Sequence, residues 1–320
     1  MKAVLDHLRE TGIIPSVRLS SAEEAIPLGK ALTEGDIWAV EIQYTEDTAL
    51  ESVRTISSEL PELLVGVGGV RTAQDAEKLI GAGARFLSSW GTSPAVADAC
   101  GEKGAAFIPS VTSPREVEES LSSGLATVKL CPAEQLGGPA AIKEFSRLFP
   151  EACFMPSGGV TRDTMNHYLK NRNVPAVYGT WMTDGLVSSG RFDEVTRLSH
   201  DAVAALHNFG LLHIGINHDA PEKAVASAEK MSKLFGFPLR ERPNSMFAGL
   251  GFEMMKTPDL GENGHIALGV NDIPRALAHL GRKGVSPLQG TERWNDDGTM
   301  RRVYIDLEVS GFAFHLRTYP

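Results

Sequence analysis

The chain has 320 residues, 42% hydrophobic and 22% charged, with 32 glycines and 18 prolines. This is the makeup of a globular protein of two ordinary domains or one large barrel, not of a disordered or collagen-like chain. A net charge of −9 argues against a nucleic-acid partner, which calls for a basic face, and against docking on anionic membranes. No run approaches 18 apolar residues, so no bilayer span is expected, and the charged start MKAVLDHLRETG does not read as a signal peptide. Cys100, Cys131 and Cys153 lack Cys-x-x-Cys spacing and fit a reduced, cytoplasmic setting.

Up to about residue 208 one unit recurs: a short apolar run followed by an amphipathic stretch. The runs are 13–19, 38–44, 63–67, 85–90, 105–110, 127–131, 153–157 and 175–180. Between them lie segments such as TAQDAEKLIGAG and SPREVEESLSSG, which open on Ser or Thr with acids following and close on Gly, as helix caps do. Eight strands alternating with helices predict parallel α/β structure, and the count favours a closed (β/α)8 TIM barrel over an open sheet. Residues 192–209 supply the eighth helix. After Gly210 the order becomes strand (211–217), helix (221–235) and short strands to 255, and it then repeats from 265. HIGINHDAPEKAV and HIALGVNDIPRAL open the two copies, which marks a βαβββ duplication. The expected division is a barrel over 1–208 and a smaller α+β domain over 209–320.

Alternate strand residues face opposite sides, and in a parallel barrel one side is the interior. WAVEIQY puts Ala39, Glu41 and Gln43 on one face; TVKLC puts Thr127, Lys129 and Cys131 on one face; PSVRL pairs Ser16 with Arg18. Three strands thus aim Arg18, Glu41 and Lys129 inward, towards the C-terminal strand ends where barrel enzymes keep their chemistry. A purely structural ion network is the alternative, although buried ion pairs are poor stabilisers. The chemical reading gives each group work. Desolvation favours the neutral form of a lysine, and a neutral amine can form an imine with a ketone. A carboxylate moves protons, and an arginine can hold a carboxylate with two hydrogen bonds. Glycine turns after strands seven and eight, Ser157-Gly158-Gly159 and Gly179-Thr180, are candidate anion sites beside helix N-termini.

The run Val128-Lys129-Leu130-Cys131-Pro132-Ala133-Glu134, with Glu41 in VEIQYT and the later PSGGVT, resembles the 2-keto-3-deoxy-6-phosphogluconate (KDPG) and 4-hydroxy-2-oxoglutarate aldolases over residues 3–208. The resemblance implies a class I aldolase of carbohydrate metabolism, typically a homotrimer. Lys129 would form the imine with pyruvate and need no cofactor, and Glu41 would act as general acid/base. It places the substrate phosphate on Ser157, Gly158, Gly159 and the Gly179–Thr180 turn, and Arg18 at the end of strand one. The chain departs from the pattern at Gly69, where members have a carboxylate-binding threonine, and at Trp90, where many have proline. Cys131 and Ser157 replace a common phenylalanine and threonine.

The duplicated unit resembles the vicinal oxygen chelate superfamily, which includes the glyoxalases. That likeness implies metal ligands from the first and last strands of each copy, here His213, Glu253, His265 and His315, with His315 where members have glutamate. Such ligands suit a divalent Zn, Ni, Mn or Fe ion. A domain without metal, used for docking or for covering the barrel mouth, is the alternative. The leading expectation is an aldolase releasing pyruvate from a 2-keto-4-hydroxy acid. Two others stay open: a metal-dependent lyase, isomerase or dioxygenase in the C-terminal domain, and a ligand-binding protein with a degenerate barrel.

Overall fold

A computed structural model describes residues 1–319 and divides into two compact units, Met1–Leu206 and the chain from His207 onward. The first unit holds strands β1 (Ile13–Val17), β2 (Ala39–Gln43), β3 (Leu64–Gly68), β4 (Phe86–Ser89), β5 (Ala106–Val111), β6 (Thr127–Leu130), β7 (Cys153–Pro156) and β8 (Val177–Gly179). Its helices are α1 (Lys2–Thr11), α2 (Ala25–Glu34), α3 (Glu46–Glu59), α4 (Ala73–Gly81), α5 (Pro94–Lys103), α6 (Pro114–Ser122), α7 (Gly138–Leu148), α8 (Met165–Leu169) and α9 (Phe192–His207). Every apolar run read from the sequence coincides with one of these strands, with β3 and β5 each running one residue past it. The ladders run parallel in the order β7-β6-β5-β4-β3-β2-β1-β8, so β8 returns beside β1 in a barrel-like sheet. Local signals behave as their chemistry requires. Thr72 caps α4 by accepting the Asp75 N–H at 3.1 Å, and Ser113 with Glu116 forms a reciprocal capping box on α6.

Strand alternation sorts the side chains into two cores. Val40, Ile42, Val65, Val67, Val128 and Leu130 face outward and pack with the helices. Ile14, Ala39, Phe86, Ala106, Ile108, Met155 and Tyr178 form an inner cluster, which Val4 and Leu8 of α1 complete. Val4 and Leu8 are four residues apart and so share one helix face. The α1 helix ends on Gly12 at φ 73°, the left-handed cap that glycine takes without a Cβ penalty. The barrel interior is therefore apolar where the strands begin.

Two inward positions of β3, Gly66 and Gly68, are glycines for steric reasons. A Cβ on Gly66 would come within 2.4 Å of the Phe86 ring, and one on Gly68 within 2.5 Å of Glu41 Oε1. Larger neighbours already fill that volume.

The second unit contains β9 (Gly210–Asn217), α10 (Pro221–Phe235), β10 (Leu239–Arg242), β11 (Ser245–Ala248) and β12 (Phe252–Met255). There follow β13 (Gly264–Val270), α11 (Ile273–Arg282), β14 (Arg293–Trp294), β15 (Met300–Val309) and β16 (Phe312–Thr318). The order strand, helix, three strands thus occurs twice. All eight strands form one sheet, β10-β11-β12-β9-β13-β16-β15-β14, with the antiparallel β9–β13 pair at its centre. Each helix covers its own small core: Ala224 and Ala228 of α10 against Ala248 and Met254, and Ile273 and Ala276 of α11 against Val303 and Leu316. Among the described residues, no helix is long and apolar enough to cross a membrane.

Gly66→Ala is expected to lower stability by about 1–3 kcal/mol through overpacking. Gly101→Ala, in α5 with open space around it, should instead gain up to about 1 kcal/mol. The midpoints of chemical denaturation compare the two directly.

Candidate functional site

Lys129 and Glu41 meet inside the barrel. Lys129 sits on β6 and Glu41 on β2, both on the inward face, and both are buried. The lysine Nζ donates to Glu41 Oε1 at 2.8 Å, to Oε2 at 2.7 Å and to Ser88 Oγ at 2.9 Å, which occupies its three donors. The carboxylate also accepts hydrogen bonds from Ser88 Oγ at 2.8 Å, Gln43 Nε2 at 3.0 Å and Ser16 Oγ at 3.4 Å. On its other side Lys129 Nζ lies 3.7 Å from the centre of the Tyr178 ring, a cation–π contact. Burial, followed by the nearby charge of Glu41, holds the Tyr178 phenol well above the usual tyrosine range, so it stays neutral. Its hydroxyl has no hydrogen-bond partner among the described residues.

Above this pair opens a cavity of about 470 Å³, at the C-terminal strand ends. Arg18, Gly69, Trp90, Cys131, Ser157 and Thr180 line it. Arg18 departs from the expected inward triad. Strand β1 ends at Val17, and the exposed arginine stands at the rim, so the interior holds an ion pair with a third charge in water above it. Gly69 has φ +82°, a conformation unfavourable for a β-branched threonine. A Cβ there would lie 3.4 Å from Trp90 Nε1, so the indole N–H occupies the neighbourhood of the missing side chain. Trp90 itself is 67% exposed.

The glycine turns serve packing rather than the cavity wall. Gly158 and Gly159 are not among the lining residues. A Cβ on Gly158 would meet Pro132 Cα at 3.1 Å, and one on Gly159 would meet Glu134 Cγ at 2.4 Å. The two loops are joined by hydrogen bonds from Ala133 N–H to the Ser157 carbonyl and from Glu134 N–H to the Gly158 carbonyl. A Cβ on the buried Gly179 would overlap the Trp181 ring. The expected helix N-termini are also displaced: α8 has five residues and begins at Met165, and α9 begins at Phe192. Of the anion-site residues expected after β7 and β8, Ser157 and Thr180 face the cavity. Ser88 and Tyr178 were given no role in the sequence reading, although alternation from Phe86 and Ala176 puts them inward.

In the second unit the four residues singled out in the sequence converge. His213 Nε2 lies 3.2 Å from His265 Nε2 and 3.1 Å from Glu253 Oε2, while His265 Nε2 is 3.4 Å from the same oxygen. His315 joins them, with one ligand atom of each histidine within 4.8 Å of the others. Gly215 makes this possible. It registers between Glu253 on β12 and His265 on β13, and a Cβ there would fall 2.1 Å from the His265 ring. Burial opposes the charge on Glu253, but hydrogen bonds from His213, His265 and Ser245 prevail and hold its carboxyl well below the usual range. Burial, with the neighbouring His265 and His213, pushes the His315 imidazole down, which leaves it neutral at pH 7.

A parallel α/β barrel with ionisable side chains gathered at the C-terminal strand ends is the layout of barrel enzymes. Residues 4–198 match the KDPG and KHG aldolase family, and the chain belongs to that family. The 2-dehydro-3-deoxy-phosphogluconate aldolase of Treponema pallidum is 33% identical over 204 residues, covering 63% of this chain and 97% of that protein. The Pseudomonas aeruginosa protein of the same name is 36% identical over 199 residues, covering 61% and 89%. The structure of Legionella pneumophila KDPG aldolase, solved with pyruvate captured as a covalent carbinolamine, superposes with a TM-score of 0.59 at 28% identity, covering 62% of this chain and 97% of that one.

Removing one member of a buried ion pair strands the other. Lys129→Met should therefore cost about 3–5 kcal/mol. The double variant with Glu41→Leu is expected to be more stable than Lys129→Met alone, as a thermodynamic cycle of denaturation midpoints would record.

Proposed function

We propose that the barrel is a class I aldolase that cleaves a 2-keto-4-hydroxy acid, KDPG or 4-hydroxy-2-oxoglutarate, to pyruvate and an aldehyde through an imine on Lys129. The observation that carries this is the buried Lys129–Glu41 pair at the floor of an open cavity, in a chain of this family. About 470 Å³ lies within the usual range for small-ligand pockets.

The chemistry follows from the contacts. Glu41 accepts a proton from Lys129, and the free amine attacks the C2 ketone of the substrate. Glu41 returns that proton to the carbinolamine hydroxyl, which leaves as water, giving a protonated imine and a carboxylate again. Glu41 then takes the proton of the 4-hydroxyl, directly or through a water. The C3–C4 bond breaks, its electron pair moves into the imine as an enamine, and the aldehyde departs. Protonation of the enamine at C3 and hydrolysis return the amine and release pyruvate. Ser88 donates to Glu41 and accepts from Lys129, so it holds the pair in register through the proton shifts. Tyr178 supplies a ring face that favours positive charge on the nitrogen. Arg18, Ser157 and Thr180 at the mouth hold the anionic ends of the substrate. The trimer rests on the family resemblance, and the cytoplasmic setting on the three scattered cysteines.

A second reading concerns the other unit, whose duplicated order and four converging ligands support a vicinal oxygen chelate relationship. Three imidazoles and a carboxylate form a donor set for a divalent ion. The His213, His265 and Glu253 atoms, 3.1–3.4 Å apart, are spaced as ligands around one centre at roughly 2.1 Å each, and His315 lies within 4.8 Å of the other two imidazoles. His213, His265, His315 and Glu253 would hold it. Such an ion acts as a Lewis acid that polarises a bound oxygen. Ser245 fixes the carboxylate by donating to Glu253 Oε1 at 2.6 Å.

Borohydride added with pyruvate should leave a reduced adduct on Lys129, detectable by mass spectrometry, and Lys129→Ala should show neither adduct nor pyruvate release. Unchanged turnover in that variant would refute the aldolase reading, and an adduct without cleavage of either substrate would favour the degenerate barrel. For the second unit, elemental analysis of the full chain is expected to find one divalent metal that His213→Ala and His265→Ala both lose. A cluster that stays empty after incubation with Zn, Ni, Mn and Fe would remove the metal reading.

A further inference from the structure

The second unit is electrically neutral as a whole, with 13 basic and 13 acidic residues from Gly210 onward. Its charges are nevertheless segregated. Arg240, Arg242, Arg293, Arg301, Arg302 and Arg317 line a single cavity of about 580 Å³, and Glu253 is the one acid among the lining residues. His213 and His315 line the same cavity, so the arginines surround the histidine cluster. These cations come from both ends of the sheet, β10 at one edge and β14 with β15 and β16 at the other. All six nevertheless line the same cavity.

The strand register makes this arrangement costly. Arg293 is the ladder partner of Arg302, and Arg302 is the partner of Arg317, so three like charges stand side by side across three adjacent strands. Like charges directly opposite one another destabilise a sheet. Among the described residues none of the six arginines forms a salt bridge, and the buried Arg302 Nε has no hydrogen-bond partner. Two guanidiniums are steadied on rings: Arg240 lies 4.8 Å from the Phe247 ring centre and Arg302 lies 5.3 Å from that of Tyr304. These are oriented, unneutralised donors facing a concave space.

We propose that this cavity binds a small polyanion, an acid carrying at least two carboxylate or phosphate groups, held by Arg293, Arg302 and Arg317 beside the histidine cluster. A planar guanidinium fork matches carboxylate and phosphate oxygens in pairs, and two anionic groups balance the local charge. The exposed Leu211 and Leu250 at the cavity suit a short carbon skeleton between those groups. A nucleic acid fits less well. Single strands stack their bases on exposed aromatic rings, and the one aromatic lining residue, Phe247, is buried. The proposal deepens the metal-site reading by giving that site a substrate class, but the binding comes from the arginines and is testable without metal.

The experiment is calorimetric titration of the full chain, stripped of metal by chelation, with inorganic phosphate and separately with malonate at constant ionic strength. The parent is compared with the double variant Arg302→Ala, Arg317→Ala. Binding of at least one probe is expected in the parent, weakened by about tenfold or more in the variant, while the pyruvate adduct on Lys129 is unaffected. Without anion the variant should melt no lower than the parent, because it has lost repulsion rather than support. Tighter binding of phosphate identifies a phosphorylated ligand, and tighter binding of malonate a polycarboxylate. Identical isotherms in the two proteins, or no heat with either probe, would overturn the proposal, as would tighter binding of a short single-stranded oligonucleotide. Metal analysis of unstripped samples separates the two ideas: anion binding by a protein that never takes up metal sustains this inference and removes the metal reading, and metal uptake without anion binding does the reverse.

Discussion

The first unit is organised around two opposite charges held in the middle of a barrel. Replacing a buried ion pair with apolar residues of similar volume is often neutral or stabilising, so Lys129 and Glu41 are not there to hold the fold together. The surroundings are nevertheless built to accommodate them. Lys129 has three acceptors, and Glu41 gathers donors from β1, β2, β4 and β6. Gly68 leaves the carboxylate its volume. Beneath the pair, Phe86, Ile108 and Met155 form a floor that α1 completes with Val4 and Leu8. Above it the cavity is open. Water and substrate therefore approach from the C-terminal strand ends, and the reactive nitrogen lies at the boundary between an apolar floor and a polar mouth.

In neither unit does the net charge report the charge at the cavity. The first unit carries 18 basic and 27 acidic residues, and thus the whole −9, yet the ligand proposed for it is an anion. Surface charge is screened over about 10 Å at 0.1 M salt, whereas Lys129 and Arg18 act at contact distance. In the second unit a net charge of zero conceals six arginines at one cavity. Bulk charge speaks to nucleic acids and membranes, and to small ligands hardly at all.

Alternation made most of the barrel legible in the sequence. Period-two patterning put Glu41 and Lys129 on inward faces, and helix caps such as Thr72 and Ser113 marked the boundaries between elements. Alternation gives a direction and not a depth, which is why Arg18, one residue past β1, was grouped with the interior while it stands at the rim. It also cannot show what a glycine is for. Gly158 and Gly159 resembled an anion cradle, but their lack of side chains is explained by the close approach of the Pro132–Glu134 loop. In the second unit the resemblance to the vicinal oxygen chelate superfamily, laid over the two-fold repeat, picked out His213, Glu253, His265 and His315, which the fold brings close together. The arginine row was invisible: Arg293, Arg302 and Arg317 become neighbours only through antiparallel registers that a bulge beside Arg293 adjusts.

Both sites share a constraint peculiar to sheets. A side chain lying over a strand occupies the volume of the residue next to it in the ladder, since cross-strand Cβ atoms are only about 4.5–5.5 Å apart. Glu41 registers with Gly66, and its carboxylate fills the space of a Cβ on Gly68, while His265 registers with Gly215 and its ring fills the corresponding space there. Neither glycine has a left-handed backbone, so conformational freedom does not explain it. The empty position is part of the site, because it lets a functional group lean across the sheet towards partners on another strand. An alanine at either place would leave every polar residue in the sequence and still displace the group whose chemistry matters.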